Sequence, residues 1–484
     1  MKFKTPGQDK TLEAFAEHWR AVAPELGLDT ELTAASGPLG QALEVDGRTI
    51  GNRWAIHPME GWDGTDEGLP SADTLRRWRR FGSSGAKLIW GGEAVAVRAS
   101  GRANPHQLFL NPDADTTGGL AALRAEVLAG HAELGESTDD LVIGLQLTHS
   151  GRFSRPSTAG PAPRIAYRHP ILDGRVGLEG AAADAAVLTD GELEGILADY
   201  VELARSAHAA GYDFVDVKCC HGYLLHELLG AKTRSGPFGG SFENRTRFLR
   251  DAMAEIRSAC PGMTIGVRVS IGDLLPFKTG TDEDRHGVPE PWETGARYPF
   301  GFGVDEADPT AVDLTESFAL LELLRDEGVR LVNLTLGSPY YNPHLQRPAA
   351  YPPCDGYQPP EDPLNQVAEH LRITRLCKAR VPELALVGTG YTYLQEWLPH
   401  IAQHEVGAGH VDFVGLGRMA LSYPDLPRDV LAGTKLTRKK ICRTFSDCTT
   451  APRNGMPSGC YPLDDHYKRR PEMAELKAIK ERLS

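Results

Sequence analysis

Hydrophobic and polar positions along the chain fall into a repeating two-part pattern. Short apolar, β-branched runs recur at 52–59, 87–95, 142–149, 214–221, 264–270, 331–337, 384–390 and 411–419. Their apolarity is continuous rather than alternating, which suits parallel strands covered on both faces. Between them lie amphipathic stretches such as 190–213, 243–260 and 313–328. Asp190 stands where a helix N-cap belongs, and Gly211 where that helix would end. Eight strand–helix units predict an α/β chain folded as a (β/α)8 TIM barrel. A doubly wound open sheet is the alternative; against it, no G-x-G-x-x-G follows the first strand.

The same pattern divides the chain. Residues 1–40 read as an N-terminal helical extension, 41–435 as the barrel, and 436–484 as a Cys-containing C-terminal tail. The stretch 271–312, rich in Gly, Pro and Asp, is too long for a simple connection. It reads as an excursion over the barrel mouth; a mobile insertion without function is the other reading.

Composition narrows the function classes. A formal net charge of −13 over 484 residues argues against general binding to nucleic acid or anionic membranes, although it leaves room for a local basic pocket. No apolar run approaches the ~20 residues that span a bilayer, and the N-terminus lacks the apolar core of a secretory signal. A cytoplasmic location is the expectation. Eight cysteines in so long a chain do not suggest a secreted disulfide scaffold.

Polar residues gather where the strands should end: Glu60, Gln146, His149, Lys218, His221, Arg268 and Arg418. A barrel keeps its active site at that end. The stretch FVDVKCCHGYLLHELL, 214–229, is the richest case: an apolar strand runs into Lys218, Cys219, Cys220, His221, Gly222 and Tyr223.

NRWAIHPM, GLQLTHSGR, HGYLLHELL, RSGPFGGSFENRTRFL, VRVS and VGLGRM follow one another at a spacing that resembles the old yellow enzyme family of NADH:flavin oxidoreductases. The resemblance runs from about residue 40 to 435 and implies an FMN-binding barrel with NADH or NADPH as hydride donor. It implies that Pro58, Met59, Glu60 and Ala94 line the flavin. It also implies that Gln146 meets the ring's pyrimidine edge, where an amide can both donate and accept, and that Arg268 stands beside N1 and O2. For Arg268 a salt bridge inside the barrel is the alternative. Gly388, Gly417 and Arg418 would receive the phosphate beyond the last two strands.

In the family, two side chains ending the fourth strand bind the substrate's carbonyl oxygen, and a tyrosine two residues after the second gives a proton. Here those positions carry Lys218, His221 and Tyr223. The lysine departs from the usual histidine, and its ammonium would pull harder on that oxygen or hold an anionic group. The other reading turns Lys218 away toward Glu60 or Glu93. Glu60 is a second departure, since a carboxylate there would oppose the reduced flavin unless paired; a Glu60–Lys218 pair is the expectation. Tyr340, Tyr341 and His344 are candidates for the substrate pocket, or for filling space under a loop.

The tail cysteines Cys442, Cys448 and Cys460 resemble the iron–sulfur segment of the 2,4-dienoyl-CoA reductase and trimethylamine dehydrogenase branch. The first two ligand positions fall on Ile441 and Thr444, so three thiols stand where four are needed. A remnant without a working iron–sulfur cluster is the expectation; zinc on the three thiols with Asp447 or His466 is the other composition such a set admits.

These readings imply hydride transfer between a reduced nicotinamide, flavin N5 and an activated C=C or carbonyl-type small molecule. The alternatives are a flavin-dependent dehydrogenase of an alcohol, amine or sugar-like substrate, and a non-catalytic flavin-binding sensor. Members of the family are often oligomeric, so the resemblance leaves a homo-oligomer open.

Overall fold

The structure is a computed structural model and describes residues 3–483. Eight parallel strands close into a barrel: β1 Trp54–Ile56, β2 Leu88–Ile89, β3 Val142–Thr148, β4 Phe214–Cys219, β5 Thr264–Ser270, β6 Leu331–Thr335, β7 Ala385–Gly388 and β8 Phe413–Leu416. Each pairs with its sequence neighbour, and β8 pairs with β1 to complete the ring. The expected strand over 87–95 is broken in two, because Gly92 takes φ +47°. A short strand, Ala94–Ala96, then resumes the pairing with β3.

The major helices follow the strands in order: α1 Ala72–Gly82, α2 Thr116–Ala132, α3 Asp190–Ala209, α4 Arg247–Ala259, α5 Thr315–Asp326, α6 Pro363–Arg380, α7 Leu398–Gly407 and α8 Arg418–Ser422. Their apolar faces and the outward strand side chains form one core around the barrel. The cap of α3 is Thr189 rather than Asp190. The Thr189 hydroxyl accepts from Glu192 N while the Glu192 carboxylate takes the Thr189 backbone N–H, which satisfies two otherwise orphaned donors. Gly211, at φ +85°, follows the end of the helix as expected.

Inside the barrel, Trp90, Phe214 and Phe413 pack with smaller apolar side chains from the other strands. A hairpin, Leu43–Val45 with Arg48–Ile50, adds Val45 and Ile50 to this inner core. The chain ahead of it contributes a helix, Leu12–Val22, whose Phe15 and Trp19 join the outer core. No helix among the described residues is long and apolar enough to cross a membrane.

Two segments sit near the C-terminal ends of the strands. Within 271–312, a small hairpin, Phe277–Thr279 with Gly287–Pro289, adjoins an apolar cluster of Leu274, Leu275, Tyr298 and Val304. None of its residues lines the central cavity, so this excursion packs beside the mouth instead of over it. The tail does reach the cavity. Its own small core, Ala451, Met456, Tyr461, Tyr467, Leu476 and Ile479, is anchored to α1 by Arg76–Asp464 and Arg470–Asp73 ion pairs at 2.9 and 2.6 Å.

Gly415 on β8 is where the barrel wall is tightest. A Cβ there would meet the His57 ring at 2.1 Å and the Gly388 carbonyl oxygen at 2.7 Å. Gly415→Ala is therefore expected to cost about 1–3 kcal/mol of stability, read from urea unfolding. An unchanged midpoint would show that the wall yields.

Candidate active site

A cavity of about 270 Å3 opens at the C-terminal ends of the strands. Strand register builds its floor: Gln146 stands beside Asp216, Lys218 beside Arg268, and Arg268 beside Asn333. Asp216 is fully buried and accepts from Gln146 Nε2 at 2.6 Å, Trp90 Nε1 at 2.6 Å and the Arg268 backbone N–H at 2.7 Å. Burial pushes its carboxyl up to about 6, against the pull of these donors. Gln146 is thereby oriented, with its carbonyl oxygen and second amide hydrogen available to a ligand.

Arg268 is 4% exposed, and its Nε is buried without a hydrogen-bond partner. The alternative of a salt bridge inside the barrel is not realised among the described residues. Lys218 is equally buried, and its Nζ lies 4.0 Å from the centroid of the Tyr223 ring. Burial, with Arg268 adding to it, lowers the Lys218 pKa; Cys220 and Glu60 oppose the shift. Lys218 makes no ion pair among the described residues, so the expected Glu60–Lys218 bridge is absent. The Tyr223 phenol stands between the two: its hydroxyl donates to Glu60 while its ring face carries the ammonium. Glu93, the other proposed partner, is 2.6 Å from Arg77 instead.

Tyr223 Oη also lies 2.8 Å from Tyr340 Oη, and Tyr340 stacks on Phe153 with centroids 4.0 Å apart. Burial and the neighbouring Glu60 carboxylate raise the Tyr223 pKa well above its ordinary value. The turn that delivers this phenol takes φ +68° at His221 and +77° at Gly222. It is held on both sides, since His221 N donates to Ser270 Oγ at 3.0 Å and its carbonyl accepts from Ser338 Oγ at 2.8 Å. Burial, then Arg268 and Lys218, push the His221 pKa well down, so the imidazole is neutral. Cys219 and Cys220 are fully buried.

His57, Pro58, Met59 and Glu60 continue from β1 along one wall. His57 accepts from Asn333 Nδ2 at Nδ1, 3.0 Å, and its Nε2 lies 3.1 Å from Thr389 Oγ1. The Thr389 hydroxyl hydrogen goes to the Leu334 carbonyl, so His57 Nε2 carries the ring proton. Beside it, beyond β7 and β8, the lining continues with Thr389, Gly390, Gly417 and Arg418. Arg418 donates to the Pro348 carbonyl at 2.8 Å, and its other terminal nitrogen, Nη1, is buried without a partner.

Four expected residues lie outside this wall. Ala94 is committed to the strand beside Gln146, and its carbonyl takes Gln107 Nε2 at 2.7 Å. Gly388 packs against the Tyr391 ring; Gly390, with φ +100°, supplies the close backbone approach two residues later. Tyr341 donates to Asp273 at 2.7 Å, and His344 bonds Tyr357 at 2.7 Å with its ring against Phe277. Conversely, His57, Arg77, Arg347, Thr389 and Arg453 line the cavity without having been singled out. His57 was legible in NRWAIHPM; the arginines carry no local signal.

Cys442, Cys448 and Cys460 converge behind Arg418 around a space of about 20 Å3, room for one water. Among the described residues no group of three or more His, Cys, Asp or Glu side chains is disposed to hold a metal ion. The tail offers three thiols where an iron–sulfur cluster of this kind takes four.

Barrel, cavity and buried cations together define a TIM-barrel protein built to hold an acceptor-rich, anionic ligand at its C-terminal face. The family model for the NADH:flavin oxidoreductase / NADH oxidase family matches residues 38–287, and the chain belongs to that family. The NADH-dependent flavin oxidoreductase nadA of Aspergillus parasiticus is 27% identical over 264 residues, 51% of this chain and 56% of that protein. The chain therefore matches little more than half of that relative's length. Among solved structures, a 2-naphthoyl-CoA reductase in complex with 2-naphthoyl-CoA has a TM-score of 0.65 at 16% identity, covering 91% of this chain and 58% of that one. The old yellow enzyme homologue from Zymomonas mobilis has a TM-score of 0.56 at 20% identity, covering 82% and 94%.

A flavin mononucleotide fits the residues present. The orphaned Arg268 Nε, the oriented Gln146 amide and the unpartnered Arg418 Nη1 are buried groups that a ring with carbonyl acceptors and a phosphate would satisfy. Arg268→Met is expected to weaken FMN retention about 10- to 100-fold, the worth of a hydrogen bond to a charged group, measured by fluorescence titration. Undiminished binding would place the guanidinium away from the cofactor.

Proposed function

We propose that this protein is an FMN-dependent oxidoreductase that reduces an activated C=C or carbonyl-type small molecule at the expense of NADH or NADPH. The observation that carries the reading is a buried lysine without a counter-ion, set against the proton-bearing phenol of Tyr223 in the same cavity as Arg268 and Gln146. Pro58, Met59, Gln146, Arg268, Gly417 and Arg418 would hold FMN, which when bound supplies reversible hydride donation.

The chain's own residues do the rest. Lys218 and neutral His221 bind the substrate's electron-withdrawing oxygen, where negative charge grows as the neighbouring carbon is reduced. An ammonium in a buried site stabilises that charge more than a neutral donor would. Tyr223 Oη gives the proton that completes saturation, and Tyr340 Oη, 2.8 Å away, keeps the phenol oriented. Glu60 accepts the Tyr223 hydroxyl hydrogen, which holds the phenol against the cofactor wall. Residues of loop 339–348 and of tail segment 448–459 line the outer part of the cavity and narrow it around the substrate. Family membership supports this reading.

One observation favours a second reading. A carboxylate bonded to the catalytic phenol can also draw its proton, so that Tyr223 takes one from a substrate in the oxidative direction. Anaerobic titration separates the two. Bleaching by NADH or NADPH, followed by reoxidation with an enone, supports the reductase; bleaching only by a reduced alcohol or amine supports the dehydrogenase; no bleaching by either sinks both.

Tyr223→Phe is expected to slow reoxidation by the enone about 10²- to 10⁴-fold while leaving nicotinamide-driven bleaching intact, as stopped-flow absorbance would show. The Lys218 charge is lost as pH rises through a pKa depressed from the ordinary 10.5. Reoxidation should therefore fall on the alkaline side below that value, and Lys218→Met should remove this limb together with a shift in flavin potential. An identical profile and potential in the variant would exclude Lys218 from the chemistry.

A further inference from the structure

The cavity roof carries more positive charge than one cofactor phosphate explains. Three guanidiniums line it: Arg418 from the start of α8, Arg347 from the loop after β6, and Arg453 from the tail helix Asp447–Arg453. Among the described residues one carboxylate pairs with them, Asp355, which meets Arg453. Arg347 Nη1 donates to Thr449 Oγ1 at 2.6 Å, and its Nη2 is buried without a partner. Arg453 Nη2 reaches only the Pro339 carbonyl, at 3.4 Å. Burial, then Arg453 and Arg418, push the Arg347 pKa down to about 9. All three side chains are partly buried, and leaving the enclosed Arg347 Nη2 and Arg418 Nη1 without an acceptor is costly unless an anion is received there.

The sites differ in position. Arg418 lies beyond β8, where barrels of this kind bind phosphate at a helix N-terminus. Arg347 and Arg453 come from the loop after β6 and from the tail, and are joined through the tail's Thr449 and the loop's Pro339, while Arg418 meets them only through the Pro348 carbonyl. We propose that Arg347 and Arg453 form a second anion subsite, distinct from the cofactor phosphate site, which takes a carboxylate or phosphate group carried by the substrate. The inference rests on the oxidoreductase reading and deepens it: the substrate is an anionic molecule whose reducible end lies at Lys218 and His221 and whose charged end lies under the tail. The null charge of a simple enone would leave the Arg347 nitrogen unsatisfied.

Calorimetric titration of the FMN-loaded protein with inorganic phosphate and with succinate tests this without turnover. Binding is expected in the native protein, weakened about tenfold or more in Arg347→Gln and Arg453→Gln, and largely kept in Arg347→Lys. A parallel comparison of FMN with riboflavin affinity separates the two sources of phosphate. Arg418→Gln should abolish the preference for FMN, and Arg347→Gln should leave it within twofold. With an enone bearing a remote carboxylate, Arg347→Gln should raise KM relative to its neutral methyl ester. No anion binding by the native protein, or an Arg347→Gln variant that loses the FMN preference, would overturn the proposal. Failure to bind FMN at all would instead strike the oxidoreductase reading, while on that flavin-free protein phosphate binding that is weakened in Arg347→Gln and kept in Arg418→Gln would still read the subsite. Circular dichroism of each variant confirms that lost binding is not lost folding.

Discussion

Parallel pairing between β3, β4, β5 and β6 places a carboxylate, an ammonium and a guanidinium within one buried patch, and everything else at the mouth accommodates that. Asp216 is the patch's only fully buried carboxylate, and its two oxygens are consumed by Gln146, Trp90 and the backbone of Arg268. The two cations beside it are thus left to be satisfied from the cavity side. Lys218 finds the face of an aromatic ring, and Arg268 keeps an unsatisfied nitrogen. Desolvated charge of this kind is expensive, and a protein that retains it has a ligand to match. The remaining wall residues are arranged around that need, including a neutral His57 locked between Asn333 and Thr389.

Much of this was legible in the chain because it is local. Eight apolar runs gave eight strands, and the polar residue at the end of each run pointed to the correct end of the barrel. Lys218, Gln146 and Arg268 each lie within two residues of a strand terminus, where alternation dictates the facing, and His221 and Tyr223 follow within four residues in the turn. What escaped depends on long-range geometry. Tyr341 and His344 share a loop with Tyr340, yet only Tyr340 reaches the cavity, because Asp273 and Tyr357 from other segments claim its neighbours. Gly388 and Gly390 are indistinguishable as letters; the turn after β7 decides which one faces the ligand. The Glu60 partner was misread because a lysine and a glutamate invite pairing, whereas here a phenol intervenes.

The tail shows the same limit from the other side. Its three cysteines suggested a metal-binding history, but its contribution to the site is a lid of Cys448, Thr449, Pro452, Arg453, Ser458 and Gly459 over the cavity. That lid is tied down by the Ser458 hydroxyl on Trp62 N at 2.9 Å and by ion pairs to α1. Contacts between residues almost 400 positions apart carry no periodicity and no motif, so nothing in the linear pattern announces them.

The left-handed turn at His221 has a consequence for which side chains this barrel can explore. A non-glycine residue there costs about 1–3 kcal/mol, tolerated because Ser270 and Ser338 clamp the peptide from both ends. Glycine, asparagine and aspartate accept that backbone at least as readily as histidine, whereas valine, isoleucine or threonine would not. Diversification at this position is therefore channelled by main-chain torsion before chemistry is consulted: an amide, a short carboxylate or a bare glycine leaves the scaffold intact, and a β-branched side chain does not.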